Sequence, residues 1–414
     1  MSEAWIIDAC RTPRGVGKAG KGALSAFHPQ HLGAAVLKAI AARNQLDTAL
    51  VDDIIWGTSA QRGQQSGDLA RMAALDAGFD IRASGMTLDR YCGSGITAVN
   101  LAAAVVGSGS EDLVIAGGTE MMSTYGNPGM RNSPFMDNDN LRLREVHPQP
   151  HQGICADAIA TLEGISRQAL DEVGLVSQQR AGRAIAEGRF SKSLIPVYRD
   201  DGTLALDRDE LPRPSTTLAD LAGLKPAFHA MADHPLDESG MTYRELVRMQ
   251  YPDLNIQHFH HAGNSSGVAD GAAALLLASP TFAQAHGMKP RARVVAMANM
   301  GDSPTLMLNA PVPATLKVLR KAGLSLQDID LFEINEAFAV VAEKYQRDLK
   351  LDRDKVNVNG GAIALGHPLA ATGVRLTITL ARELKRSGLR YGISSACVGG
   401  GQGIALLIEN PEGV

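Results

Sequence analysis

Strand–helix–strand alternation along the whole chain predicts an α/β fold. Three observations carry that reading. Apolar residues make up 45% of 414 residues while aromatics are only 4%, and 43 glycines are present, which suits helices packed closely on sheets better than a β-sandwich. The run Asp112-Leu113-Val114-Ile115-Ala116-Gly117-Gly118 is apolar throughout and ends on glycines, as a strand covered on both faces should be. A unit of strand, glycine turn bearing a cysteine or histidine, and helix occurs once in each half. The chain is too long for one ordinary domain. We read two similar core domains, residues 1–120 completed by 258–284 and residues 285–414, with an inserted loop domain at 121–257.

The elements follow in order. Ala4–Cys10 is a short apolar strand that Arg11-Thr12-Pro13-Arg14-Gly15 breaks. The glycine- and lysine-bearing loop to Gly22 is either a phosphate-holding or a solvated loop. His31–Arg43 is an amphipathic helix, Asp53–Gly57 a strand, and Asp68–Ala77 a helix stopped by Gly78. Cys92 opens a helix through Val99, Leu101 and Val105 that ends at Gly107 or Gly109. Residues 121–150 show little periodicity. Helices are predicted at Ile154–Glu163, Arg167–Glu172 and Ser177–Arg189. Ala272–Ala278 and Arg293–Ala298 are strands, Pro313–Gly323 a helix, and Ile329–Ile334 a strand after which Asn335 opens the next helix. A helix follows from Thr372, and Tyr391–Cys397 and Gly403–Glu409 are the last strands.

Forty basic and 44 acidic residues leave a net charge of −4, which gives no nucleic-acid surface but allows a local basic patch for an anionic ligand. Cys10, Cys92, Cys155 and Cys397 show no C-x-x-C pair and read as reduced thiols in the cytoplasm. No signal segment and no transmembrane helix are expected.

The chemistry concentrates in three glycine-rich turns. Cys92-Gly93-Ser94-Gly95 places a thiol at a helix N-terminus, where free N–H groups and the helix dipole should lower its pKa and favour a nucleophilic thiolate. Gly366-His367-Pro368 fixes an imidazole that can act as a general base. Cys397-Val398-Gly399-Gly400-Gly401 carries a second thiol, an acid/base group or an inert core residue. Zinc ligation by these three is the competing reading, although their spacing pairs none of them. Asn335, following a strand, is an N-cap or holds a water or an oxyanion.

Together the motifs resemble the thiolase family of acyl-CoA-dependent Claisen enzymes. The resemblance runs through Asp8-Ala9-Cys10-Arg11-Thr12-Pro13, Cys92-Gly93-Ser94-Gly95 and Ala116-Gly117-Gly118-Thr119-Glu120-Met121-Met122. It continues in Ala262-Gly263-Asn264-Ser265-Ser266-Gly267, Asn335-Glu336-Ala337-Phe338-Ala339, Asn359–Pro368 and Cys397–Gly403. It implies a five-layer α/β/α/β/α sandwich of the two core domains plus the loop domain. It also implies a CoA-dependent thiolytic cleavage of a 3-ketoacyl-CoA, with biosynthetic condensation of two acetyl-CoA as the alternative. By the resemblance Cys92 is the acyl acceptor, His367 its base, Cys397 the acid/base at the acetyl α-carbon, and Asn335 the holder of an oxyanion-hole water. The Cys92 and Gly399 N–H groups resemble a second oxyanion hole. His151, Ser266, Phe338 and Arg213 resemble CoA and substrate contacts. CoA is implied as substrate, with no resident cofactor or metal, in a homodimer or homotetramer without nucleic-acid partner or membrane insertion.

A decarboxylating ketosynthase and a non-catalytic acyl-CoA carrier are disfavoured by the second cysteine and by the intact Cys/His/Cys set. Four departures from the family pattern stand out: Gln152 for a usual methionine, Asp220 for a serine, His261 for a threonine, and an extra segment over 229–260. Gln152, expected beside the acyl group, and the extra segment together suggest an acyl chain longer or bulkier than acetoacetyl.

Overall fold

The computed structural model describes residues 3–127 and 133–413, so residues 128–132 of the 121–150 excursion lie outside it. The N-terminal half brings β1 (Ala4–Arg11), β2 (Gly15–Val16), α1 (Pro29–Arg43), β3 (Asp53–Gly57), α2 (Leu69–Asp76), β4 (Met86–Leu88), α3 (Ser94–Ser108) and β5 (Leu113–Met121). The excursion holds α4 (Leu141–Val146), α5 (Gln152–Leu162), α6 (Arg167–Ala186), the hairpin β6 (Val197–Tyr198) and β7 (Leu204–Leu206), and short helices α7 (Leu218–Ala222), α8 (His229–Ala232) and α9 (Tyr243–Arg248). Then follow β8 (Ala269–Ala278), α10 (Pro280–Ala285), β9 (Ala292–Gly301), α11 (Pro311–Ala322), β10 (Leu331–Ile334), α12 (Ala339–Leu349), α13 (Ala362–Leu365), α14 (Leu369–Ser387), β11 (Tyr391–Val398) and β12 (Gln402–Glu409).

The main strands run β10-β11-β12-β9-β1-β8-β5-β3-β4, with β2 beside β8. The order is symmetric about its middle. On one side β3 and β5 are parallel and β5, β8 and β1 antiparallel; on the other β10 and β11 are parallel and β11, β12 and β9 antiparallel. A short antiparallel contact from Ala4–Val294 to Ile6–Ala292 joins them. The helix before each inner parallel strand is α3 in one half and α14 in the other. These two pack together, burying Ile96, Val99 and Val106 with Val374 and Ile378 between residues of both half-sheets. The outer face of the first half is covered by α1 and α2 through Leu32, Val36, Leu37 and Ala73 over Trp56. The outer face of the second is covered by α11 and α12 through Val318, Leu319 and Tyr345 over Phe332. The result is five layers, helix, sheet, helix, sheet, helix. β5 is buried at all nine positions, as a strand sandwiched between helices must be.

Local signals explain the boundaries. α3, α11 and α14 end where Gly109, Gly323 and Gly388 take positive φ. The residues Tyr91–Ser108 are long and apolar enough to cross a bilayer by composition, but most of that stretch is buried between the half-sheets as the core helix α3.

Two expectations need correction. The helices expected at Arg167–Glu172 and Ser177–Arg189 are one helix, capped by Ser166 at Ala169 N. Gly174 is where α6 passes close under the Gly263 carbonyl, with no room for a side chain. Asn335 does not open a helix: α12 begins at Ala339, and residues 335–338 form a buried loop in which Phe338 is extended and bridges to Ser265.

Candidate active site

The three glycine turns converge at the crossing of α3 and α14. Cys92 lies in a short turn, Tyr91–Gly93, in which Tyr91 takes φ 45°, a left-handed conformation unfavourable for a bulky residue. The turn is fixed from both sides. Asp89 Oδ1 accepts from Tyr91 N (2.7 Å), and Ser94 Oγ accepts from Arg90 N (2.8 Å) while donating to Tyr91 O (2.7 Å). Cys397 stands near the end of β11. Asn335 lies just beyond neighbouring β10 and donates its N–H to Ser395 O (2.9 Å). The two cysteine turns lie back to back: a Cβ on Gly93 would sit 2.6 Å from Val398 Cγ2, and one on Gly399 3.0 Å from the Tyr91 ring. α3 and α14 cross through glycines, since a Cβ on Gly95 would collide with the Ala370 carbonyl and one on Gly373 with the Ile96 backbone. This brings the His367 turn beside the start of α3.

His367 is buried and held at both nitrogens. Nδ1 lies 2.7 Å from Thr372 Oγ1, and that hydroxyl donates to Pro368 O (2.9 Å). Its proton so used, Thr372 accepts from Nδ1–H, which leaves Nε2 as an acceptor, and Asn335 Nδ2 donates to it (3.2 Å). Burial, with Arg375 and Arg14 nearby, pushes the imidazole down to about 3, so it is neutral. Asn335 Oδ1 is buried and has no hydrogen-bond partner among the described residues.

The thiols behave differently from the expectation. Burial, with the Glu120 carboxyl second, pushes Cys92 up to about 12, so the helix N-terminus does not make a resident thiolate. Cys397 is likewise raised, by burial and then by the neighbouring Cys92. Glu120 is fully buried and saturated with donors: Ser59 N (2.9 Å) and Oγ (2.7 Å), Gln65 Nε2 (2.8 Å), Tyr125 Oη (2.9 Å) and Ala370 N (3.1 Å). The last bond ties the end of β5 to the residue three past His367.

A cavity of about 630 Å³ opens beside this centre, lined among others by Lys18, Gln178, Leu211, Arg213 and Gly267. The Gly267 carbonyl accepts the His367 N–H (2.8 Å), so the cavity reaches the His367 loop. Arg213 is exposed, its backbone N–H fixed on Gln178 Oε1 (2.7 Å). Ser266, one residue from Gly267, donates its N–H to Ala337 O (3.0 Å). His151 and Phe338 do not line this cavity. They belong to an aromatic wall: the His151 ring lies 5.6 Å from Phe228 and 5.7 Å from Tyr243, and Phe228 meets Phe338 edge-on at 5.9 Å. The candidate residues therefore fall into a buried Cys92/His367/Cys397/Asn335 centre, an aromatic wall and an outer cavity. Among the described residues no group of three His, Cys, Asp or Glu side chains is placed to hold a metal ion.

The thiolase N-terminal domain matches residues 4–232 and the thiolase C-terminal domain residues 288–410. The chain belongs to the thiolase family. Among its relatives, the beta-ketoadipyl-CoA thiolase of Escherichia coli is 41% identical over 99% of this chain and 100% of its own length. The steroid 3-ketoacyl-CoA thiolase of Mycobacterium tuberculosis is 38% identical over 99% of this chain and 94% of its own. The crystal structure of the Bacillus anthracis acetyl-CoA acetyltransferase superimposes with a TM-score of 0.83 at 36% identity, covering 99% of each chain.

The structure accounts for the departures from the thiolase pattern. Asp220 completes a capping box with Thr217 at the start of α7. Buried His261 pairs with Asp171 (2.8 Å) and accepts from Gly263 N (3.0 Å), bracing the turn before Ser266. Gln152 is exposed at the start of α5, next to His151 of the aromatic wall. The extra segment contributes Tyr243, Leu246 and Val247 to the buried core, with the Tyr243 hydroxyl donating to Pro134 O (2.9 Å). Sequence reasoning missed Thr372 and Glu120 as supporting residues. Only Thr372, one helical turn beyond Pro368, left a readable signal.

Proposed function

We propose that the chain catalyses CoA-dependent thiolytic cleavage of a 3-ketoacyl-CoA to acetyl-CoA and a shortened acyl-CoA through an acyl-Cys92 intermediate. The observation that carries this reading is the neutral, buried His367, whose Nδ1–H is spent on Thr372 and whose Nε2 is an acceptor toward the Asn335 amide, in a centre whose turns also carry two buried, protonated thiols. The Cys92 sulfur attacks the 3-keto carbon as its proton passes to His367 Nε2, so no free thiolate accumulates. The Cys92 and Gly399 N–H groups stabilise the oxyanion at that carbon. The C2–C3 bond then breaks. The protonated His367 and a water held by the open Asn335 Oδ1 stabilise the thioester enolate, and Cys397 delivers the proton to its α-carbon. CoA thiol then gives its proton to the Cys397 thiolate as its sulfur attacks the acyl-enzyme, and Cys92 leaves taking its proton back from His367.

CoA is read as lying in the cavity beside Gly267, its nucleotide end toward Arg213 and Lys18, with Ser266, His151 and Phe338 along its path inward. The division into cores 1–120 with 258–284 and 285–414 around the insert 121–257 fits the symmetry of the strand order. The exposed side chains Ile81, Met86 and Tyr91 around edge strand β4 support a homo-oligomer, because an unpaired apolar sheet edge invites a partner.

A biosynthetic acetoacetyl-CoA thiolase is the second reading, favoured by the likeness to the acetyl-CoA acetyltransferase structure. The degradative direction is supported by relatives named for ketoadipyl and steroid thioesters and by the buried insert at Tyr243 against His151. Each extra buried CH₂ contributes ~0.8 kcal/mol, so four methylenes could change kcat/KM by about 10²-fold. Thiolysis of acetoacetyl-CoA, 3-ketooctanoyl-CoA and ring-bearing substrates at equal CoA concentration tests the choice. The higher kcat/KM is expected for a longer or bulkier substrate. Acetoacetyl-CoA equal to or above all of them would favour the biosynthetic reading.

A further inference from the structure

A second cleft, of about 460 Å³, lies between the loop 187–193, Arg291 and the last turns of α14. It shares no lining residue with the cavity at Arg213. Six cationic side chains line it, Arg189, Lys192, Arg291, Arg382, Lys385 and Arg386, against two carboxylates. Three of these cations have a carboxylate partner, Arg189 with Glu187, Arg386 with Glu383 and exposed Lys385 with Glu412. Behind the cleft a single buried oxygen, Asp8 Oδ1, receives three guanidinium groups: Arg43 at 3.0 Å, Arg291 at 3.1 Å and Arg382 at 3.2 Å. One carboxylate cannot neutralise three cations. Burial and then crowding by Arg291 push Arg382 down to about 10. Positive charge is therefore in excess at a partly buried, concave place, which is the condition for anion binding.

We propose that this cleft is a binding site for a small polyanion carrying two adjacent phosphate groups. Guanidinium forks match phosphate oxygens in pairs. Arg382 and Arg386 stand one helical turn apart, about 6 Å along α14, so the cations divide into an inner group with Arg291 and an outer group with Lys385. One phosphate answers to each group. The free source is inorganic pyrophosphate and the carried source a nucleoside diphosphate. One wall is the loop that leads to His367: Arg189 donates to Asn359 Oδ1 (2.8 Å), and Asn359 donates to Glu383 Oε2 (3.0 Å).

Isothermal titration calorimetry of the full chain at fixed ionic strength tests this with pyrophosphate, ADP and orthophosphate. One pyrophosphate or ADP per chain is expected, with orthophosphate at least tenfold weaker. The tighter of the first two identifies the source. Affinity should fall at least tenfold in the R291Q/R382Q double variant. Because Arg382 also holds buried Asp8, the exposed pair K192Q/K385Q is the second variant, with the same expected loss, while R213A binds as the parent. Absence of saturable binding at millimolar anion, orthophosphate binding as tightly as the diphosphates, affinity unchanged in both double variants, or loss of binding in R213A would each overturn the proposal.

Discussion

In the proposed reaction His367 is the residue on which the chemistry turns, and its environment makes a pH prediction. Its ordinary pKa near 6.5 is pushed down to about 3 in the fold by burial and by Arg375 and Arg14. Between those values the unfolded chain binds the proton and the native chain does not. This contribution to stability is therefore fully present above about 6.5 and is lost as pH falls toward 3. Tm measured at pH 7.5 and pH 5 should fall more in the parent than in His367→Gln. Equal falls would mean that the imidazole is not held neutral. Thr372→Val removes the acceptor for Nδ1–H and should lower kcat by about 10-fold or more, the scale of a misplaced general base, while Thr372→Ser keeps most activity. Cys397→Ala should still take an acetyl group on Cys92 from acetyl-CoA, yet lose C–C chemistry by at least about 10²-fold together with α-hydrogen exchange in D₂O. Undiminished exchange would move the α-proton to another residue.

At the scale of elements, the crossing of α3 and α14 decides whether the turns meet. Gly95→Ala places a methyl against the Ala370 carbonyl. Overpacking of this kind costs about 1–3 kcal/mol, so a lower Tm and a drop in kcat are expected together. A variant with parental Tm and activity would show that the helices need no such close approach. Tyr243→Ala should open the wall beside His151 and shift chain-length preference among 3-ketoacyl-CoAs, measured as ratios of kcat/KM. Unchanged ratios would reduce the insert to a packing element.

These elements also show what the sequence could and could not reveal. Strands buried on both faces, such as β5 and β8, were legible because their apolar runs abut glycine at one end. The split of α6 left out residues 173–176, where Gly174 serves the close approach to the Gly263 carbonyl rather than a break. Asn335 followed a strand, and only the fold shows that its amide turns to His367 rather than capping a helix. The thiol of Cys92 sits in a helix-opening turn as expected. Its burial comes from the distant Cys397 turn, and Glu120 lies 28 positions downstream, so both are invisible to local reading.

Taken whole, the molecule sets two similar halves around one layer of helices and gives each half one member of the proposed proton-transfer pair: Cys92 at the opening of α3, His367 at the opening of α14. The symmetry explains why residues 275 positions apart share a site. It also gives each half a helix start that a glycine on the other half can approach. The central claim is that this shared site carries the acyl group on Cys92 during cleavage of a 3-ketoacyl-CoA. The most direct measurement is peptide mass spectrometry of the enzyme quenched after mixing with 3-ketooctanoyl-CoA and a limiting amount of CoA. The account predicts acetyl-CoA release with a hexanoyl group on the peptide bearing Cys92, discharged when excess CoA is added and missing from Cys92→Ala. Cleavage of the substrate with no adduct on Cys92, or an adduct on another residue that CoA discharges, would contradict it.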